Sequence, residues 1–375
     1  MPRPSSLLSQ TLALSAAALA LSAAEPALAE VELSQTFAIK PGWNAVYVEV
    51  APTNPLDAVF ADWPTDSVGL YDPASFLATR QQTAASESQN LTESPIAMWH
   101  RDHPDATDAI TLPAGTVCIF FNTAAAATVT LHGVPAAPRT TWHVTGPKKP
   151  YNFFGLSLQP GATVTVGDYL DGFPGIASLS GIYRISGVSA DTPPTLTRLY
   201  STTKLSDGEV LLVPSSEISD WSGVLFVSPM GGLDYGTNAT LRVLTVRNDS
   251  TLERTAGLEL VDVAGSRPLL GALHLRDTAQ ILTNAAWTTP TTAKLATKTL
   301  APGETWRLQV GLDRSLFDSD VRGTPFGAVL RITDDGGASK LRVDVPLQGA
   351  ASGKAATRDA WPGGLWLVEA ALDTI

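Results

Sequence analysis

Apolar and polar positions along this chain alternate in short runs with a period of two. The clearest run follows Pro41-Gly42. There Val46, Val48 and Val50 point to one face, and Ala45, Tyr47 and Glu49 to the other, before Pro52. Alternation of this kind predicts a half-buried strand, and proline ends it because it cannot donate to a β ladder. The pattern returns at 151–160. Trp43 matches Tyr151, Asn44 matches Asn152, and Val46, Val48 and Val50 match Phe154, Leu156 and Leu158. A second block also occurs twice. Leu112-Pro113-Ala114-Gly115 leads into Thr116–Phe120, and Leu205-Ser206-Asp207-Gly208 leads into Glu209–Val213. Gly69-Leu70-Tyr71 loosely matches Tyr183-Arg184-Ile185, and Val129–Leu131 matches Val224–Val227. A short helix is expected after Asn54, with Pro55 in its first position. The polar, aperiodic stretch 78–94 has no second copy and reads as an inserted loop. The pattern predicts two related β units, 30–135 and 136–235, that superpose strand for strand with Val46/Phe154 and Val48/Leu156 equivalent.

From 236 to 349 the alternation continues without the paired blocks. Strands are expected at 238–248, 258–263, 305–310, 328–333 and 341–346, and Asp334-Asp335-Gly336-Gly337 turns a hairpin. About seven short strands over roughly 110 residues fit a separate immunoglobulin-like β-sandwich, without the Cys–Trp–Cys core of antibody domains. The fold class is therefore all-β: a tandem pair of related units followed by that sandwich. Residues 350–358 read as a linker. The tail with Trp361, Leu365, Trp366, Leu367 and Val368 reads as one more strand, docked because its apolar area is large.

The first 29 residues have a different pattern. Arg3, an apolar stretch from Leu7 to Ala24, and Ala27-Leu28-Ala29 make a secretory signal peptide with cleavage between Ala29 and Glu30. Glu30 is not cysteine, so no lipid anchor is expected at this cut. No later run has 18 unbroken apolar residues, so no membrane insertion of the mature chain is expected. The location is then periplasmic, cell-surface or secreted. A net charge of −11 argues against nucleic acid and anionic membrane surfaces as partners. Charged residues are only 16%, with Gly 30 and Pro 27, as in turn-rich β structure.

Candidate chemistry is sparse. The lone cysteine, Cys118, lies in an apolar run and reads as a small buried hydrophobe. His100-Arg101-Asp102-His103-Pro104-Asp105-Ala106-Thr107-Asp108 is the densest polar cluster, but its spacing matches no metal pattern and Arg101 opposes a cation. Asp313, Asp318 and Asp320 would suit calcium, although the glycine and terminal glutamate of an EF-hand loop are missing. A capped turn is the competing reading. His100, His103, His132, His143 and His274 fall in no triad context, and no Gly-x-Ser-x-Gly occurs. No catalytic residue and no cofactor is assigned. Among nine tryptophans, Trp63 and Trp287 fall in loops and are the better candidates for stacking on a sugar.

The Gly42-Trp43-Asn44 strand and the later glycine turn and strand resemble the "GWN" β modules of large secreted and surface-attached bacterial proteins. Phe326–Asp334 and Gly364–Val368 look like other parts of the same multidomain proteins, whose neighbouring domains are immunoglobulin-like and lectin-like. The resemblance implies an extracytoplasmic, non-catalytic protein and carries no catalytic residues. The expected function is a surface or extracellular structural or adhesion protein with a protein or glycan partner at the cell surface. A carbohydrate-binding accessory protein is the alternative, and a glycan-acting hydrolase ranks third.

Overall fold

The computed structural model describes residues 31–71, 96–102, 111–122, 125–145, 151–176, 181–186, 195–278, 287–317, 320–335, 337 and 339–352. The cleavage site at Ala29 and Glu30, the stretch 78–94 and the tail 359–375 lie outside them. The fold is all-β, with short antiparallel sheets.

The first unit contains β1 (Leu33–Ile39), β2 (Gly42–Val48), β3 (Val50–Pro52), β4 (Thr65–Tyr71), β5 (Ile96–His100), β6 (Thr116–Asn122) and β7 (Ala127–Pro135). They form two sheets, β2-β6-β4-β5 and β1-β7-β3. The organising strand crosses from one sheet to the other at Glu49. That break would orphan two backbone groups, which cost free energy when buried. The Gln35 side chain satisfies both: Nε2 donates to Tyr47 O at 2.8 Å, and Glu49 N–H donates to Gln35 Oε1 at 2.8 Å. Phe37, Val46, Val48, Phe60, Trp63, Trp99 and Cys118 share the core of this unit. The helix Leu56–Phe60 is capped by Pro55 itself, whose carbonyl accepts from Ala58 and Val59; Asn54 supplies no side-chain cap.

The second unit contains β8 (Asn152–Gly155), β9 (Thr163–Thr165), β10 (Tyr183–Ser186), β11 (Thr195–Arg198), β12 (Lys204–Ser206) and β13 (Val210–Val213). Its main sheet runs β8-β13-β10-β11, the same order as β2-β6-β4-β5. Registers agree as well. Asn44 faces Phe120 and Val46 faces Cys118, while Asn152 faces Val213 and Phe154 faces Leu211. Gly115 N–H donates to Val48 O at 2.7 Å, and Gly208 N–H to Leu156 O at 3.0 Å. Both glycines have positive φ, +82° and +74°, which L side chains avoid. Even a short turn is shared: Trp63 N–H donates to Phe60 O, and Phe173 N–H to Leu170 O, both at 3.1 Å. Asn44 and Asn152 each hold the chain that leads into their strand. Asn44 bonds the Lys40 backbone at both N–H and carbonyl, and Asn152 does the same with His143.

The remaining strands are β14 (Leu225–Ser228), β15 (Leu233–Asp234), β16 (Leu241–Asn248), β17 (Arg254–Asp262), β18 (Leu273–Asp277), β19 (Lys294–Leu300), β20 (Thr305–Leu312), β21 (Pro325–Asp334) and β22 (Arg342–Ala350). They form two sheets, β14-β16-β20-β18 and β15-β22-β21-β17-β19. Two expectations change here. The boundary at 235/236 does not separate sheets, because β14 pairs with β16 and β15 runs parallel to β22. The matched segment Val224–Val227 therefore serves the third unit, whereas its counterpart β7 pairs with β1 and β3. Nor is the third unit separate. Trp142, Phe154, Leu156 and Phe173 of the second unit share one continuous core with Leu244, Trp306 and Leu330. Trp142 lies 4.1 Å from Phe173, ring centre to ring centre, and donates Nε1 to Trp221 O at 2.6 Å.

The organising strand is covered on both faces around Tyr47, while Trp43 at its start is 38% exposed. Val46, Val48 and Val50 face the core of the first unit, and Tyr47 on the opposite face is 5% exposed. The second unit covers it. Tyr47, Ala45, Val117 and Ile119 pack on Val210 and Phe153, and the Tyr47 ring lies on Gly155. In register, Tyr47 and Gly155 occupy equivalent places in the two ladders.

Candidate functional site at the junction of the three units

Glu49, at the break between β2 and β3, points its chemistry at the place where all three units meet. Its carboxylate pairs with Arg342 Nη2 on β22. Arg342 also lies 3.9 Å from Asp207 Oδ2 of the second unit and 3.7 Å from Asp344 Oδ2. Arg331 on β21 grips Asp344 with two nitrogens, at 2.8 and 3.0 Å. Glu49, Arg331, Arg342 and Asp344 border a cavity of about 130 Å³, whose wall also includes Gln35, Tyr47 and Ser157. Ser157 follows Gly155 as Glu49 follows Tyr47, so the two units contribute matching positions just beyond their paired strands to one wall.

The electrostatics follow from burial. Loss of water pushes the Glu49 carboxyl above its usual range, against the pull of Arg342 and Ser157. Burial likewise raises the Tyr47 and Tyr169 phenols, which keeps both protonated. An acid whose folded pKa is raised adds stability below its unfolded pKa and loses it as pH rises through the folded value. Relative to the native protein, Glu49→Gln should therefore gain stability as pH rises from about 4 to 7, as read by denaturant melts across pH. A relative loss over that range would contradict this sign.

A second arginine joins the second and third units. Arg254 is 2% exposed at its side chain and bridges Asp171 Oδ2 at 2.6 Å and Asp334 Oδ2 at 3.1 Å. A third, Arg314, donates to the carbonyls of Ala239, Tyr235 and Ala350 and fastens the end of β22. Burial lowers its pKa to about 10, so it stays charged at neutral pH.

The residues chosen from sequence are scattered. Cys118 is fully buried, and desolvation raises its thiol, an inert environment. His100 ends β5, and Arg101 donates to the carbonyls of Phe60 and Trp63, at 2.8 and 2.6 Å. His103, Asp105 and Asp108 lie outside the described residues. Asp313 accepts from Ser315 within its own turn, Asp320 pairs with Arg267 at 2.6 Å, and Asp318 lies outside the described residues. Among the described residues no group of three His, Cys, Asp or Glu is placed to hold a metal ion. No helix among them is long and apolar enough to cross a membrane.

Trp63 is not a loop platform. It is 3% exposed and packs edge-on against Phe37 and Phe60. Trp287 is half-buried under the Arg276 guanidinium, 4.6 Å from the ring centre. Trp99, Trp142, Trp221 and Trp306 are also buried. Sequence reasoning missed the junction residues because Glu49 and Arg342 stand 293 positions apart. The one available signal was Glu49 itself, a charge at the end of an apolar strand. No known family model matches the chain, and no curated protein matches it.

Proposed function

We propose that this chain is an exported, non-catalytic structural or adhesion protein whose partner is a protein or glycan at the cell surface. The observation that carries the reading is the arginine-centred joining of three β units. Arg342 ties the first unit to the other two, and Arg254 ties the second to the third. A buried charge network costs desolvation and rewards one fixed geometry, which suits a rigid spacer or display surface. Glu49 and Asp344 each pair with an arginine, which supports a structural role for them over that of a hydrolase's carboxylate pair. The signal-peptide pattern of residues 1–29 and the Gly42-Trp43-Asn44 resemblance support the exported, surface setting.

Cell fractionation with N-terminal sequencing tests the export half. Retention on immobilised glycans and cell-surface preparations, with reducing-end release followed on the same glycans, tests the rest. The expected result is a mature chain starting at Glu30 that is retained without releasing reducing ends. A chain still starting at Met1 in the inner membrane, or steady release of reducing ends, would overturn the reading.

A further inference from the structure

Among the described residues, two buried polar atoms in the wall of the junction cavity make no close hydrogen bond: Glu49 Oε1, whose carboxyl has the Ser157 side chain beside it, and Arg342 Nε, which stands 3.7 Å from Asp344 Oδ2. Buried polar atoms left this way are costly, and a guest that bonded both would relieve them. A carboxylate accepts only and a guanidinium donates only, so a group that serves both must donate and accept. A hydroxyl does both. The charged residues in the wall are Glu49, Asp344, Arg331 and Arg342, two of each sign. An ionic guest would find no surplus of opposite charge there, and a neutral one would meet no repulsion. Leu33, Val50, Pro135, Ala136, Pro138 and Val343 add apolar surface to the wall, which suits the C–H faces of a polyol or sugar ring. The size is also limiting. An engineered cavity of about 150 Å³ takes benzene, so 130 Å³ accepts a polyol of about six heavy atoms or one edge of a pyranose.

We propose that this cavity binds a small neutral polyhydroxylated molecule, a polyol or the hydroxyl-bearing edge of a monosaccharide, between Glu49 and Arg342. The ligand class does not depend on export or on the structural role proposed above. The site differs from the stacking platform expected at Trp63, because hydrogen bonding and not an exposed aromatic selects the guest.

Calorimetric titration and saturation-transfer NMR on the full chain would test it. The probes are glycerol, glucose, galactose, mannose and N-acetylglucosamine, with glucuronate and glucosamine as charged controls. Methyl glycosides and disaccharides then separate a free sugar from the end of a longer glycan. Saturable binding of a neutral probe at millimolar concentration is expected, with the charged analogues about tenfold weaker or silent. Glu49→Gln should weaken binding about tenfold, since an amide NH₂ or carbonyl replaces the charged acceptor. Ala136→Leu, which fills the cavity and leaves the ion pairs intact, should abolish binding without lowering the melting temperature. Absence of binding by every neutral probe would overturn the proposal. So would equal binding of the charged controls, or affinities unchanged in both variants.

Discussion

Replacing Arg254 with alanine is expected to cost about 3–5 kcal/mol of unfolding free energy, the range for removing one partner of a buried ion pair. The side chain is 2% exposed, and Asp334 beneath it is 0% exposed. Truncation leaves Asp334 with Ser339 on Oδ2, while Oδ1 has no hydrogen-bond partner among the described residues. It also frees Asp171 from its 2.6 Å contact and removes the donor to Ser250 Oγ at 3.0 Å. Most of the loss is the uncompensated carboxylate, not the missing attraction. Arg254→Met with Asp334→Asn should therefore recover a good part of it, although it removes both charges. Urea melts of the two variants and each single change measure the coupling. Because the second and third units share one core, the loss should appear in a single transition that contains both. An Arg254→Ala penalty below about 1 kcal/mol would show that the bridge is idle.

Much of the local structure was legible. Val46, Val48 and Val50 named the inner face of the organising strand, and the matched Leu112–Gly115 and Leu205–Gly208 turns named its partner strands. Those signals are local: period-two alternation and glycines that need positive φ. What joins the units was not legible. The other face of the strand looked half-polar because it carries Glu49, yet a second sheet covers it and that carboxylate finds Arg342 on β22. Trp63 read as a loop residue, but its N–H closes a turn on Phe60 and its ring enters the core. The segment Val224–Val227 matched an earlier strand by sequence and was recruited by β16, since an edge strand pairs with whichever ladder lies beside it. Alternation says that a strand has an inside; it cannot say which neighbour supplies it.

Gly155 should be the most sensitive small residue between the first two units. Its φ is not in the left-handed region, so backbone freedom does not explain a glycine there. Space does. A Cβ at 155 would lie 1.9 Å from Tyr47 Cδ2, 2.0 Å from Cγ and 2.5 Å from Cβ, against about 3.5–4.0 Å for a normal carbon contact. Tyr47 has little room to yield, because Val117 and Val210 hold it in the same buried cluster. Gly155→Ala should cost about 1–3 kcal/mol by overpacking, and Gly155→Val more. The damage should be confined to the joint. The first unit keeps its own core around Val48, Phe60 and Trp99, while the second remains fused to the third. Gly155→Val should therefore split thermal unfolding into two transitions. It should also pull Glu49 away from Arg342 and abolish ligand binding in the junction cavity. Tyr47→Ala, which vacates the space, should make Gly155→Ala nearly free in the double variant, with a coupling energy of about 0.5–3 kcal/mol. Additive single effects, or a Gly155→Val protein that melts in one unshifted transition, would mean that the Tyr47–Gly155 contact does not hold the units together.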